Sequence, residues 1–305
     1  METMQANINS LLKELKSRKA LPKKMDVAKL GERCWIVCHD NEDVNIISEN
    51  STTGFSDDPS IALLKSLSER VERNAFREGH KNSIQSCQTD RSDGFAAFPR
   101  FYENSDEKSR MSALSEAIER YAWATWWDNP DIGFDLKTID QISEQHKIKP
   151  HLKIIKDQCG IEEVFVITPK IENAKNHQVI ILFARLCSGG FISGGACGVL
   201  SQEKETLLRA LDELYRHGLA LENIKKQNLT PTSFYEKRLA YFGFGDGNLL
   251  IRSRLEAQGK EPIFLPTLKI DEQVPHDLDD LFCVHRCLFV NQPSFIGGDL
   301  ERFCL

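Results

Sequence analysis

The chain has 305 residues, 41% of them hydrophobic, and a formal net charge of −6. That length can bury one large core or two modest ones, and the acidic balance argues against general binding of nucleic-acid phosphates, which relies on clustered Lys and Arg. No apolar run approaches the roughly 18–20 residues that span a bilayer, no signal peptide is expected in residues 1–25, and nine cysteines without framework spacing point to reduced thiols in a cytoplasmic protein.

Residues 7–16 place apolar side chains at helical spacing within a basic amino-terminal segment, 1–25, and Cys34 to Cys38 reads as a short buried strand followed by a polar stretch through Pro59. A helix is predicted from Ser60 to Glu78, with Leu63, Leu64, Leu67, Val71 and Ala75 on one side and cap chemistry in Asp57-Asp58-Pro59-Ser60. Gly79 to Arg91 reads as a loop, and a second helix runs from Ser109 to Trp127, ending before Pro130. Asp131 to Gly160 reads as short helical pieces in linkers, and Val164 to Thr168 and Val179 to Cys187 as neighbouring strands of one sheet. Ser188 to Gly198, crowded with glycine, is expected to be a loop leading into a third helix, Glu203 to Glu222. The last clear strand is Leu281 to Val290.

Two of these helices carry the same sequence pattern. Leu67-Ser68-Glu69-Arg70-Val71-Glu72-Arg73 and Leu114-Ser115-Glu116-Ala117-Ile118-Glu119-Arg120 match as L-S-E-x-aliphatic-E-R at an offset of 47 positions. Glutamates three apart share one helix face, and like charges there repel by a few tenths of a kcal/mol, more when buried. A hard divalent cation such as Mg²⁺, which takes carboxylate oxygens and completes its shell with water and phosphates, would relieve that repulsion. Ser112, four residues before Glu116, falls on the same face. Glu69 with Arg73 and Glu116 with Arg120 are equally i,i+4 pairs of the sort that solubilise a surface helix; their repetition in one chain favours a shared site.

Ala62 to Arg73, Ser92-Asp93-Gly94-Phe95-Ala96-Ala97 and Ser112 to Arg120 together resemble the YcaO-domain pattern of E-x-x-E-R helix, S-x-G-aliphatic-A loop and second E-x-x-E-R helix. Gly194-Gly195-Ala196-Cys197-Gly198 leading into Arg209-Ala210-Leu211-Asp212-Glu213-Leu214 is similar to that family's later G-x-G-A loop and R-A-L-x-E helix. The resemblance covers roughly residues 25–295. It implies an α/β fold with internal pseudo-symmetry, mixed sheets with helices enclosing an ATP site, and a division into the basic helix 1–25, a catalytic domain 26–295 and a tail 296–305.

The same resemblance implies that Glu69, Glu72, Glu116 and Glu119 bind Mg²⁺, that Ser112, Glu116, Lys65 and Arg120 contact the nucleotide, and that Arg120, Arg209 and Glu213 serve the chemistry. The implied reaction is ATP-dependent O-phosphorylation of a peptide backbone amide, giving an azoline, thioamide or amidine in a ribosomally made, modified peptide. A noncatalytic scaffold that binds nucleotide or leader peptide is the rival, made possible by Lys65, which stands where serine is common, and by a tail without the alternating prolines of azoline-forming members; Tyr121 stands where an aspartate is common. The implied partners are a precursor peptide and a separate leader-binding or ubiquitin-activating-enzyme-like protein, with a homodimer as a further assembly.

Other groupings read as structure. Cys283, His285 and Cys287 alternate on one face of a strand, unlike a zinc turn, and Cys34, Cys38 and His39 meet the same objection. Gly243-Phe244-Gly245-Asp246-Gly247 lacks the Lys-Ser/Thr of a phosphate loop and reads as a turn. Cys197 reads as a small residue in a tight loop rather than a reactive thiol, and most of Tyr121, Trp123, Trp126 and Trp127 reads as core. No Ser-His-Asp triad can be placed from the sequence.

Overall fold

The computed structural model describes residues 2–40, 51–82, 92–144, 148–174, 176–295 and 299–303. Helix α1 (Glu2–Ser17) is followed by β1 (Lys24–Leu30), β2 (Arg33–His39), β3 (Thr52–Ser56), α2 (Pro59–Asn82), β4 (Gly94–Pro99) and α3 (Ser105–Asp128). Next come β5 (Phe134–Thr138), α4 (Ile139–Ser143), α5 (Lys149–Cys159), β6 (Ile161–Pro169), β7 (His177–Leu186), β8 (Phe191–Val199) and α6 (Glu203–Gln227). The chain ends with α7 (Phe234–Gly243), α8 (Asn248–Glu256), β9 (Leu268–Gln273) and β10 (Phe282–Phe289).

These elements form a mixed α/β protein of two compact units, 1–85 with 95–113 and 271–286, and 86–94 with 114–270 and 287–305. Sheet orders are β1-β2-β3, β4-β10-β9 and β5-β6-β7-β8; the first and third are antiparallel throughout. Among the described residues no helix is long and apolar enough to cross a membrane.

In the first unit the apolar stripe of α2 (Ala62, Leu64, Leu67, Val71, Ala75) packs with Ile8, Leu11 and Leu15 of α1 and with Cys34, Ile36 and Cys38 of β2. Close approach of α2 to β3 depends on Gly54: a Cβ there would lie 1.9 Å from the Ala62 carbonyl oxygen. The second unit repeats this device. A Cβ on Gly194 of β8 would lie 2.5 Å from the Leu214 nitrogen and 2.6 Å from the Ala210 oxygen, both in the α6 backbone, and one on Gly198 would meet the Thr206 hydroxyl at 2.0 Å.

This explains the main correction to the sequence reading. Ser188 to Gly198 is not a glycine loop: residues 191–199 are β8, paired with β7 from Arg185↔Phe191 to His177↔Val199. Its glycines sit where a helix crosses the sheet closely, which sequence alone reads as turn chemistry. A second correction is β5, which pairs with β6 inside the stretch read as helical linkers; its Asp135, Leu136 and Lys137 are exposed, so no buried alternation marks it. The paired strands β6 and β7 and the helices α2, α3 and α6 lie where they are predicted. The expected loop from Gly79 begins as the end of α2, and residues 83–91 fall outside the described residues.

Candidate functional site

The two E-x-x-E-R helices make the same local arrangement, each within its own unit. On α2, Arg73 donates to the Glu69 carboxylate and, at 3.1 Å, to the Ser51 carbonyl just ahead of β3. On α3, Arg120 donates to the Glu116 carboxylate and to the Asp93 carbonyl just ahead of β4. Side-chain exposures of 14% and 21% for Arg73 and Glu69, and 17% and 25% for Arg120 and Glu116, show that these are not solvated surface pairs. Each arginine instead braces its helix against a strand entrance by charge-assisted hydrogen bonds.

In the first unit Glu69 also accepts from the Thr53 amide at 2.6 Å, which fixes its second oxygen. Glu72 and Ser112 are half-buried. Lys65 donates from Nζ to the Phe55 carbonyl at 2.9 Å, so its ammonium is tied to the backbone of β3.

In the second unit the carboxylates converge electrostatically. Burial pushes the Glu119 carboxyl up to about 7; Arg209 and Arg120 pull it down, while Glu116 and Glu213 push it further up. Glu119 accepts from the Cys197 amide at 3.0 Å, and Arg209 donates to the Cys197 carbonyl at 3.1 Å. Cys197 is therefore held at the open edge of β8 by two charged side chains. Its thiol is buried and pushed well above the ordinary thiol range by burial and by Glu119, as suits a small core residue rather than a nucleophile. Glu213 lies 3.0 Å from His217 Nε2 and 3.5 Å from Arg216, and the Arg120 guanidinium lies 5.7 Å from the Phe295 ring centroid.

Glu116 and Glu213 both repel Glu119, with Arg120 and Arg209 alongside, and carboxylate oxygens are the donors that a hard divalent cation takes. Sequence reasoning missed His217 and the Cys197 main chain. The spacing of Arg209, Glu213 and His217 could have flagged the histidine; no sequence signal marks a backbone amide.

The fold, rather than the sequence, relates the chain to known proteins. No protein-family model matches the chain, and no curated protein matches it in sequence. Among solved structures, YcaO from Methanopyrus kandleri, bound with AMPPCP and Mg²⁺, superposes with a TM-score of 0.58 at 12% identity, covering 97% of this chain and 96% of that one. The chain has the YcaO fold. The E. coli microcin synthetase McbBCD complex matches with pro-MccB17 bound (TM-score 0.59, 10% identity, 91% of this chain and 90% of that one) and in a second structure of the complex (0.57, 11%, 91% and 90%).

The aromatic and glycine groupings on this YcaO-fold chain are structural. Trp123 and Trp126 are fully buried, and the 243–247 glycines form the turn between α7 and α8, with Gly245 at φ 101°. Cys283 is buried with its thiol 3.5 Å from the Phe98 carbonyl, while His285 pairs with Asp271 at 2.8 Å. Tertiary structure does assemble one Ser-His-Asp chain: Ser51 Oγ lies 3.1 Å from His39 Nδ1, and His39 Nε2 lies 3.1 Å from Asp26. With Ser51 at 1% exposure, these bonds tie β1, β2 and the entrance of β3 together and present no nucleophile.

Proposed function

We propose that this chain is an ATP- and Mg²⁺-dependent enzyme that activates a peptide backbone amide by phosphorylating its oxygen, in the making of a ribosomally produced, modified peptide. The observation that carries the reading is the half-buried carboxylate set of Glu116, Glu119 and Glu213, with Arg120 and Arg209, on a YcaO fold. Phosphoryl transfer asks a protein for positioning and charge neutralisation more than for covalent help, and acids with arginines supply both.

On this reading Glu69, Glu72, Glu116 and Glu119 hold Mg²⁺, which supplies charge neutralisation for the phosphates. Ser112, Lys65 and Arg120 orient the nucleotide, and Arg209 and Glu213 shape the field at the transferred group. Residues 26–295 form the catalytic domain. A nucleophile adds to the target carbonyl carbon; the resulting alkoxide oxygen attacks the γ-phosphorus of ATP and ADP leaves. Loss of phosphate, which carries the former amide oxygen away, then gives an azoline, thioamide or amidine according to the nucleophile. A separate leader-binding or ubiquitin-activating-enzyme-like protein delivers the precursor peptide.

The test is isotopic. With precursor and partner supplied, ¹⁸O placed in the target amide should emerge in the released phosphate, in proportion to modified peptide. Modified peptide accompanied by unlabelled phosphate would exclude amide O-phosphorylation. Binding of nucleotide and precursor without turnover would instead identify the scaffold alternative. Glu72→Gln and Glu119→Gln should each abolish ATP turnover while circular dichroism shows an intact fold.

A further inference from the structure

We infer that His217 is the positioning residue for Glu213, fixing the direction of its carboxylate from the edge of the β-sheet. The inference deepens the proposed function and rests on Glu213 belonging to that site. Arg209, Glu213 and His217 are spaced by four residues on α6 and so share one helix face. The first and last are anchored to the same strand: Arg209 donates to the Cys197 carbonyl at 3.1 Å, and His217 Nδ1 bonds the Ser193 carbonyl at 2.6 Å.

These two anchors match in length. Eight residues of helix rise about 12 Å, and the four residues from Ser193 to Cys197 in β8 extend about 13 Å. Glu213 is thereby held midway between two cation-capable side chains that are themselves fixed to the backbone. Ser193, Gly195 and Cys197 belong to the register positions whose amides and carbonyls face away from β7, as the Cys197 contacts to Glu119 and Arg209 demonstrate.

The ring has one orientation available. A carbonyl oxygen only accepts, so Nδ1 carries a hydrogen, and Nε2 is turned to Glu213 at 3.0 Å. At 1% exposure the histidine has no water to substitute for either partner. Around the pair stand Arg216, 3.5 Å from Glu213, and the Tyr235 ring of α7, 5.6 Å from the imidazole centroid. Rotating the imidazole would break the buried Nδ1–Ser193 hydrogen bond and the 3.0 Å Nε2–Glu213 contact together, so Glu213 inherits the rigidity of β8.

The test has two independent arms. In the first, Glu213→Gln, His217→Gln and the double variant are compared in ATP turnover with precursor and partner present. Each single variant should lower kcat by roughly 10- to 100-fold, with KM for the nucleotide changed far less, and the double variant should be no worse than Glu213→Gln alone. Losses that multiply, or an unchanged kcat in His217→Gln, would overturn the inference. The second arm needs no activity: in the ¹⁵N-histidine spectrum of the full chain, Glu213→Gln should move the Nε2 resonance of one histidine and leave its Nδ1 in place. A spectrum without that change would equally overturn the pairing. Absence of turnover in the wild type with the Nε2 change present would fault the proposed function and leave the pair intact.

Discussion

Gly194→Ala is the sharpest probe of how the second unit is built. A methyl group at this position would sit 2.5 Å from the Leu214 nitrogen and 2.6 Å from the Ala210 oxygen, about 1 Å inside ordinary van der Waals contact. Both atoms belong to the backbone of α6, so no side chain can swing aside and the helix must lift from β8. Overpacking typically costs about 1–3 kcal/mol; with helix backbone as the obstacle, about 3 kcal/mol is expected here. The reduced freedom of alanine in the unfolded chain offsets at most about 1 kcal/mol of that.

Gly189→Ala is the control, because Gly189 has φ 93° and no atom within 4 Å of an added Cβ. It should cost only the left-handed backbone penalty of about 1–2 kcal/mol. Urea unfolding followed by tryptophan fluorescence reads the right region, since Trp123, Trp126 and Trp127 all lie in the second unit. A Gly194→Ala variant within about 0.5 kcal/mol of wild type would refute the argument that glycine is required by the helix above it. Lifting α6 also moves Arg209, Glu213 and His217, so turnover should fall in the folded variant as well.

Glu119 makes stability pH-dependent in the metal-free protein. Its carboxyl ionises near 7 when folded against 4.5 as an ordinary side chain, so the destabilisation is absent below pH 4.5 and grows as pH rises to 7. Above pH 7 it reaches about 3 kcal/mol. Glu119→Gln keeps an oxygen for the Cys197 amide, and in EDTA the variant should gain on wild type by that amount between about pH 4 and pH 8; parallel urea-midpoint profiles would contradict it. Phe303, fully buried against Phe242 at 4.0 Å and Phe183 at 4.9 Å between ring centroids, should cost about 3–5 kcal/mol on truncation to alanine, and a wild-type thermal midpoint would show that the carboxy-terminal segment does not pack there. Iodoacetamide should label exposed Cys187 in the native protein and spare Cys197 until unfolding; peptide mass mapping that finds native Cys197 alkylated would show that its environment is open.

Periodicity made α2, α3 and α6 legible in the sequence, because a helix that buries one face writes that face into the chain at every third or fourth position. It also exposed β6 and β7, and the repeated L-S-E-x-aliphatic-E-R marks Glu69, Glu72, Glu116, Glu119 and Arg120 in the sequence itself. Tertiary structure decided the rest. Gly194 and Gly198 of β8 are set by how closely α6 crosses them, and β5 is a strand because β6 offers it hydrogen bonds, although its central Asp135, Leu136 and Lys137 face solvent. Whether Glu69–Arg73 and Glu116–Arg120 are surface pairs or braces depends on carbonyls of Ser51 and Asp93, distant in sequence. The raised Glu119 carboxyl and the His217–Glu213 pair arise where α3, α6 and β8 meet, since burial and through-space charge are properties of neighbours in space and leave no period in the chain.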